Sequence, residues 1–203
     1  MEQVEAFAAL ARRMGLPRLV LLTGRGEHHA ERAERIVRAS GIPTAIVRAA
    51  WFAQNFSEGA LLDAVQAGVL PMPGGDVREP IVDVDDIAEV AVAALTEDGH
   101  DGEIYEVTGP RLMTFDEMAD ALSDALGRPV RRLSLSFEAF HDAMAQANGE
   151  ALAGIVTEIA RETLDGRNAR LADGVQRALG RPPRDFATYA RDAARTGAWS
   201  AAA

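Results

Sequence analysis

Two short apolar runs, separated by a polar stretch, organise the first quarter of the chain. Residues 19–22 are continuously apolar, as is typical of a strand buried on both faces, and residues 44–47 repeat the pattern. Residues 27–40 between them are polar and charged, with apolar residues close to helical spacing, and Gly41 and Pro43 end this helix. This order predicts one right-handed, parallel βαβ unit.

Apolar residues recur at helical spacing in several other segments. Helices are predicted over residues 2–14, 57–67, 85–99 and 114–126. Asp85 is expected to cap the third of these, and Thr114 with Glu117 forms a capping-box pattern at the start of the fourth. From Phe137 onward the chain is expected to be helical almost to its end, which we expect to be a frayed tail from Trp199.

The remaining segments are shorter. Residues 103–108 alternate polar and apolar side chains and predict a strand, as do residues 130–135, and residues 80–82 predict a short extended piece. Residues 69–76 hold two Pro and two Gly and predict a loop. We therefore expect an α/β protein with a mainly parallel sheet of three to four strands in residues 1–135. A helical region, residues 136–203, is expected to pack on that core.

Composition limits the function further. The 203 residues carry a formal net charge of −10, which argues against nucleic acid as the main partner. There is no Cys, and every basic residue is Arg, so cysteine and lysine chemistry are excluded. No apolar run is long enough to cross a membrane, and no secretion leader is evident, so we expect a cytoplasmic protein.

Candidate chemistry lies in the loops that follow the two strands of the βαβ unit, since α/β proteins bind ligands at the carboxyl ends of parallel strands. His28 and His29 follow the first strand and are candidates for an acid, a base or a substrate contact, although a solvated helical turn explains them as well. Glu27 beside them fits a favourable interaction with the helix dipole. Arg48 could hold a phosphate or carboxylate, or form an ion pair with one of the Asp residues.

Three acidic residues, Asp83, Asp85 and Asp86, form the other candidate group. They could serve general acid–base chemistry or bind a metal, but capping a helix explains them better, and we predict no metal site. Trp51 and Phe52 follow a strand end and predict either pocket walls or core.

An ordered set of motifs resembles the second half of NmrA-like proteins, which are atypical members of the short-chain dehydrogenase/reductase superfamily. The motifs are RLVLLTGRGE, ERIVRASGIPTAIVRAAWFAQNF, EPIVDVDDIAEVAVAAL and GEIYEVTGPRLMTFDEMADALSDALGRPV. The resemblance implies a Rossmann fold that binds NAD(P)H and a small substrate region built from the C-terminal part. Members of the family include NAD(P)H-dependent reductases and redox-sensing regulators.

The resemblance also implies roles for individual residues. The cofactor would lie beside two short segments, made of Thr23, Gly24, Arg25 and Gly26 and of Arg48 and Ala49. The substrate pocket would be walled by Trp51, Phe52, Asn55 and Phe56. Ala49 stands where the family usually has Pro, and Asp83 and Asp86 match the acidic pair that begins the helix under the pocket.

Two departures from the superfamily change the expected activity. The Gly-rich fingerprint GxxGxxG, on which pyrophosphate binding depends, does not occur in this sequence. By the resemblance, four strands and their helices are missing, roughly 80–100 residues at about 30 per βαβ unit. The superfamily's Tyr-x-x-x-Lys pair would fall at Gly26 and Ala30, and NmrA-like proteins commonly lack it too. We therefore expect weak or absent binding of NADP or NAD by this chain alone.

Three functions follow as hypotheses. The chain is an NmrA-like NAD(P)H-dependent oxidoreductase with reduced cofactor use, a non-catalytic ligand-binding or regulatory module, or a cofactor-independent isomerase or cyclase that uses His28, His29 or Asp83. A small-molecule ligand is expected in each case. The truncated sheet would leave Phe7, Val20 and Leu22 uncovered, so we expect a homodimer or a partner subunit at the bare strand edge.

Overall fold

A three-stranded parallel sheet organises the protein, for which a computed structural model describes residues 1–200. The strands in chain order are β1 (Leu19–Gly24), β2 (Thr44–Ala49), β3 (Val69–Met72), β4 (Ile104–Val107) and β5 (Arg131–Ser134). The sheet has the order β1-β2-β4, and β1 and β2 pair in parallel from Leu19↔Thr44 to Gly24↔Ala49. The predicted parallel βαβ unit is confirmed.

Helices cover this sheet and extend beyond it. They are α1 (Glu2–Arg13), α2 (His28–Arg38), α3 (Leu62–Gln66), α4 (Val84–Thr96), α5 (Phe115–Leu126), α6 (Phe137–Asn148), α7 (Glu150–Thr163), α8 (Gly174–Leu179) and α9 (Phe186–Arg195). The α/β class and the mainly parallel sheet are as the sequence predicts. None of the helices within residues 1–200 combines the length and the apolar character that a membrane crossing requires.

The strand β1 lies at one edge of the sheet. Within residues 1–200 no strand pairs with its outer side, and Leu22 on β1 is 48% exposed. The helix α1, which packs against α2, exposes Phe7 and Leu10, and Met14 directly after the helix is exposed as well. Phe7 is 56% exposed. The face of α1 that packs inward is therefore the one that carries Ala8 and Ala11, and the larger apolar residues face outward.

A second sheet of two strands corrects the loop predicted over residues 69–76. The strand β3 pairs in parallel with β5, with Pro71 opposite Leu133. The carbonyls of Gly68 and Met72 accept hydrogen bonds from this partner strand, so the nitrogen of Pro71, one residue before Met72, faces away from it. Because β3 has a partner on one side only, a missing N–H on the other side costs nothing, which is why proline fits here.

The starts of three helices can be compared with the starts that the sequence predicts. The helix α4 is capped by Asp83, whose side chain accepts a hydrogen bond from the Asp85 backbone, so the predicted cap at Asp85 is wrong by two residues. The capping box of Thr114 and Glu117 is confirmed. The helix predicted over residues 57–67 is shorter than expected, since only α3 forms, after a 3₁₀ turn at Ala53–Phe56.

The end of the chain is anchored rather than frayed at Trp199. Its side chain is 5% exposed, and its indole nitrogen donates a hydrogen bond of 2.6 Å to the Phe56 carbonyl. Its ring packs edge-on against Tyr189, whose hydroxyl donates to Ser57. The last three residues of the predicted tail lie outside the described residues.

Two apolar clusters form most of the core. The smaller lies between β2, β4, α4 and α8, and the larger joins the second sheet to α5, α6, α7 and α9. The larger cluster draws on residues from both sides of position 135, so the division of the chain there stays a prediction.

Candidate functional site

A cavity of about 380 Å³ opens where the carboxyl ends of β1 and β2 meet the helices α6 and α7. Its floor is formed by the strand ends and the segments after them, and its roof by mostly apolar residues of the two helices. The roof residues are Phe140, Met144, Val156, Ile159 and Thr163. Parallel strand ends are where α/β proteins place their ligands. This cavity is therefore the candidate site.

Three of the four predicted pocket residues line this cavity, namely Trp51, Phe52 and Asn55. The fourth, Phe56, is absent from the lining. It is 2% exposed and packs edge-on against Phe186, with ring centroids 5.3 Å apart. Phe56 is thus a core residue, and sequence spacing could not distinguish the two environments because the 3₁₀ turn redirects its side chain.

A hydrogen bond ties the floor of the cavity to its roof. The indole nitrogen of Trp51 donates to the hydroxyl of Thr163 at 3.0 Å, and that hydroxyl donates to the Ile159 carbonyl at 2.7 Å. The indole N–H is the single hydrogen-bonding group of a Trp side chain, and it can only donate. Its bond to Thr163 therefore restricts the orientation of the Trp51 ring. The aromatic wall of the cavity is therefore held in one orientation.

The loop that the resemblance assigns to the cofactor is instead bound by a segment near the C-terminus. The Arg25 guanidinium donates to the carbonyls of Asn168 and Arg170 at 3.0 and 2.9 Å and to Glu106 at 3.1 Å. The Asn168 amide donates back to the Arg25 carbonyl at 3.0 Å. Gly26 has a φ of +81°, and a Cβ on it would lie 2.8 Å from Asn168 Oδ1, so only glycine fits this turn.

Arg25 is 3% exposed and has one nitrogen, Nη2, without a hydrogen-bond partner in the described chain. Burial lowers the pKa of Arg25, as does the charge of Arg170, while Glu106 raises it. Glu79 lies in the same region, is 0% exposed, and has neither carboxylate oxygen hydrogen-bonded. Burial raises the pKa of Glu79 to about 7; Arg25 lowers it and Asp165 raises it.

Arg48 is engaged by a carboxylate that the sequence did not single out. Its Nε and Nη2 atoms donate to the two oxygens of Glu34 at 2.7 and 2.5 Å. The Thr23 hydroxyl donates to the same carboxylate at 2.8 Å. The sequence predicts an ion pair of Arg48 with an Asp residue as one alternative. Arg48 does form an ion pair, but its partner is Glu34 of α2 and not one of the Asp residues. Arg48 does not line the cavity.

The side chains predicted to bind a cofactor do not fit a dinucleotide pyrophosphate as they stand. Two guanidinium groups, of Arg25 and Arg48, and the hydroxyl of Thr23 already bond to other residues of the chain. Freeing either arginine would leave a buried carboxylate or carbonyls without partners, which costs about 1–3 kcal/mol for each group. Gly24 and Ala49 contribute backbone and a methyl group to the cavity floor.

The three weak catalytic candidates lie outside the cavity lining. The side chain of His28 is 78% exposed and stands 3.7 Å from a Glu162 oxygen, and His29 is exposed as well. Asp83 is buried, caps α4 and accepts a hydrogen bond from the Gln54 amide at 2.8 Å. In the described part of the chain no group of three or more His, Asp or Glu residues is placed to hold a metal.

Several residues of this region escaped sequence reasoning. Glu34, Glu79 and Asn168 carry no local pattern that separates them from surface residues. Glu34 bonds to residues of the two flanking strands, Asn168 bonds to a residue 143 positions away, and Glu79 is buried without a hydrogen-bond partner in the described chain. Glu27 was noticed only as a residue near a helix start, yet it lines the cavity. The signal for Glu27 was available, since it follows the exit of a parallel strand as Trp51 does.

Comparison with solved structures identifies the fold. The chain superposes on the NADPH-dependent quinone oxidoreductase QOR2 of Escherichia coli with a TM-score of 0.82 at 21% identity, over 94% of this chain and 70% of that one. It superposes on Citrobacter sp. triphenylmethane reductase with a TM-score of 0.79 at 24% identity, over 94% of this chain and 70% of that one. The fold is Rossmann-like.

Sequence comparison is more specific. The model of the NmrA-like family matches residues 26–186, so the chain belongs to the NmrA-like family. It is 34% identical to the NAD(P)H azoreductase of Xenophilus azovorans, over 94% of this chain and 71% of that protein. It is 36% identical to the (4-alkanoyl-5-oxo-2,5-dihydrofuran-3-yl)methyl phosphate reductase of Streptomyces griseus subsp. griseus, over 78% of this chain and 56% of that protein.

Proposed function

We propose that this chain is the substrate-binding part of an NAD(P)H-dependent oxidoreductase, and that its cavity binds a flat, apolar small molecule. The observation that carries this proposal is the cavity at the ends of β1 and β2, with aromatic side chains in both floor and roof. Sites for small organic molecules are concave and mostly apolar, with few polar groups, and this cavity has that character.

The relatives support a reductive role. Both curated relatives described above are named as reductases, and one of them acts with NAD(P)H. This chain spans 71% and 56% of their lengths, so their activities are carried over as part of the proposal only. NAD(P)H would supply the hydride when bound. The residues of this chain would bind the substrate, orient it against Trp51 and exclude water.

Cofactor binding by the isolated chain is proposed to be weak or absent, because the arginines near the site are engaged within the chain. This engagement favours a second candidate, a ligand-binding or regulatory module that retains the cavity without the chemistry. Cofactor-independent isomerisation receives no such support, since His28, His29 and Asp83 do not line the cavity. Turnover of a bound aromatic substrate with added NADPH would separate the first candidate from the second.

The open edge of β1 belongs to the same proposal. A strand edge with unpaired backbone groups and apolar neighbours is a template for association. Leu22 on this strand is 48% exposed, and Phe7 on α1, which packs against α2, is 56% exposed. A homodimer or a partner subunit would cover them.

The test of the cavity is the binding of 1-methylnaphthalene to the purified chain, followed by the probe's fluorescence. We expect saturable binding that Val156→Trp abolishes, because Val156 lines the cavity and the larger ring fills it. The matched control is Ile155→Trp, which adds the same ring to an adjacent position of α7 that is 58% exposed. Equal binding by both variants would contradict the proposed site.

A further inference from the structure

Glu27 occupies the N-cap position of α2 but does not cap the helix. Its backbone is extended there, and no hydrogen bond runs from its carboxylate to the first turn. The shorter carboxylate of Asp at this position ordinarily accepts a hydrogen bond from a backbone N–H of the first turn, which the longer Glu27 side chain does not do here. The Glu27 side chain therefore has a different location, which is the wall of the cavity.

Gly24 makes room for this side chain. A Cβ on Gly24 would overlap the Glu27 carboxylate, and Gly24 has no positive φ that would otherwise require glycine. The carboxylate thus folds back over the last residue of β1, beside the cavity floor. Gly24 permits this position through its missing side chain and not through backbone freedom.

Two charged residues are among the described residues that line the cavity. Glu27 is the acidic one and Arg25 is the basic one. No side chain or backbone group of the described chain donates a hydrogen bond to the Glu27 carboxylate. The guanidinium of Arg25 is 3% exposed and bonds to Glu106 and two carbonyls, so its charge is partly offset within the protein. Glu27 is the charge that remains available to a ligand.

We propose that this cavity selects planar aromatic ligands with one positive charge, and that Glu27 binds the charged nitrogen. This inference rests on the proposed function, since it concerns the same cavity. A partly buried carboxylate attracts a cation more strongly than one in water. Trp51 and Phe52 also line this cavity, and aromatic rings attract cations.

The groups that face Glu27 shift its pKa in opposite directions. Burial raises the pKa of Glu27, the carboxylate of Glu162 on α7 raises it further, and His29 on its own helix lowers it. Glu162 does not line the cavity, but its carboxylate makes the surroundings of Glu27 more negative when both groups are ionised. A bound cation would relieve their repulsion, so protonation of Glu27 at acid pH should weaken cation binding.

The experiment compares two probes of nearly the same shape, N-methylquinolinium and 1-methylnaphthalene, which differ in one positive charge. We expect the wild-type chain at pH 8 to bind the quinolinium probe about tenfold more tightly, as a charge-assisted contact supplies. Glu27→Gln should remove that preference and leave the affinity for 1-methylnaphthalene unchanged. Glu31→Gln, an exposed position on α2, is the control and should retain the preference.

A second variant tests the geometry without removing the carboxylate. Gly24→Ala places a methyl group where the Glu27 carboxylate lies, and the flexible end of that side chain can move away. We expect the fold to persist, as judged by circular dichroism, and the preference for the cation to fall toward that of Glu27→Gln.

The outcomes separate this inference from the function on which it rests. If neither probe binds, the proposed substrate cavity is wrong, and the inference falls with it. If both probes bind wild type equally, or if Glu27→Gln retains the preference, the cavity stands and the role of Glu27 is overturned. A tenfold preference that is lost in Glu27→Gln and kept in Glu31→Gln would support both.

Discussion

Thr23 and Arg48 face each other across β1 and β2 and share one carboxylate, that of Glu34. The hydroxyl lies 2.8 Å and the guanidinium Nε 2.7 Å from the same oxygen of Glu34. Glu34 comes from the helix that joins the two strands, so the βαβ unit is closed at its carboxyl end by side chains as well as by packing. The strand ends that form the cavity floor are therefore fixed relative to each other.

Removal of this carboxylate should destabilise the unit. Glu34→Ala leaves the buried hydroxyl of Thr23 and the partly buried Arg48 guanidinium without their acceptor. We expect the free energy of unfolding to fall by about 2–3 kcal/mol, the cost of leaving such groups unpaired. Urea unfolding followed by circular dichroism measures the change, with the exposed neighbour Glu31→Ala as control. A loss in Glu34→Ala no larger than that in the control would show that the pair contributes little.

The sequence predicts those secondary-structure elements that depend on residues close together in the chain. Apolar runs, the helix between them and the capping box of Thr114 depend on residues within a few positions of each other, and all three are found. The two-residue error at Asp83 arose because both acidic residues fit a cap, and the extended backbone before α4 decides between them. The strand β3 was missed because Pro71 argues against a strand unless it is known to have a single partner.

The candidate site was less predictable because its polar contacts join distant segments. Arg25 and Asn168 are 143 positions apart, and nothing local to either residue reveals that they bond to each other. Glu34 bonds to Thr23 and Arg48, which are only 11 and 14 positions away, but it looks like any other charged residue of a polar helix. Trp51 and Phe52 were predictable as pocket walls, since they follow directly from a parallel strand end, whereas the turn that buries Phe56 was not.

A buried ion pair should hold the segment before α9 against α4. Asp86 is 0% exposed and accepts hydrogen bonds from the Arg184 backbone at 2.7 Å and its guanidinium at 2.8 Å. Arg181 reaches the same carboxylate at 2.7 Å. We expect Asp86→Ala to lower the free energy of unfolding by about 1–3 kcal/mol, because the Arg184 backbone N–H loses its acceptor while both arginines keep Glu89 as a partner.

The control for this prediction is the exposed neighbour Asp85→Ala, which removes an acidic residue from the same helix turn without touching either arginine. Calorimetry of the two variants should show a much larger loss for Asp86→Ala. Equal losses would mean that the effect comes from the helix N-terminus and not from the ion pair.

Glu79 should make stability depend on pH between about 4.5 and 7. Its pKa is raised by burial to about 7 in the folded protein, so the folded state binds the proton more tightly than the unfolded state. The contribution is therefore fully present below the unfolded pKa and is lost as pH rises through the folded one, by roughly 3 kcal/mol at most. Glu79→Gln should flatten this part of the pH profile of urea unfolding. A profile unchanged by Glu79→Gln would contradict the raised pKa.

Association through the β1 edge is tested by light scattering on the purified chain at micromolar concentration. We expect a dimer that Leu22→Gln converts to monomer without loss of secondary structure, because Leu22 is 48% exposed and lies on the open strand. Val20→Asp on the same strand should abolish the assembly and the fold together. A wild-type chain that is monomeric at these concentrations, with a sharp thermal transition, would contradict the proposed association.

We propose that this chain has the substrate cavity of an NmrA-like oxidoreductase while its own arginines are engaged within the chain. Calorimetric titration of the purified chain with NADPH, repeated with NADH, tests it most directly. We predict no saturation below about millimolar cofactor, since a Kd of 1 mM corresponds to only about 4 kcal/mol of binding free energy. Saturable binding with a micromolar Kd would contradict the claim, because Arg25 or Arg48 would then have to leave its partners to hold the cofactor.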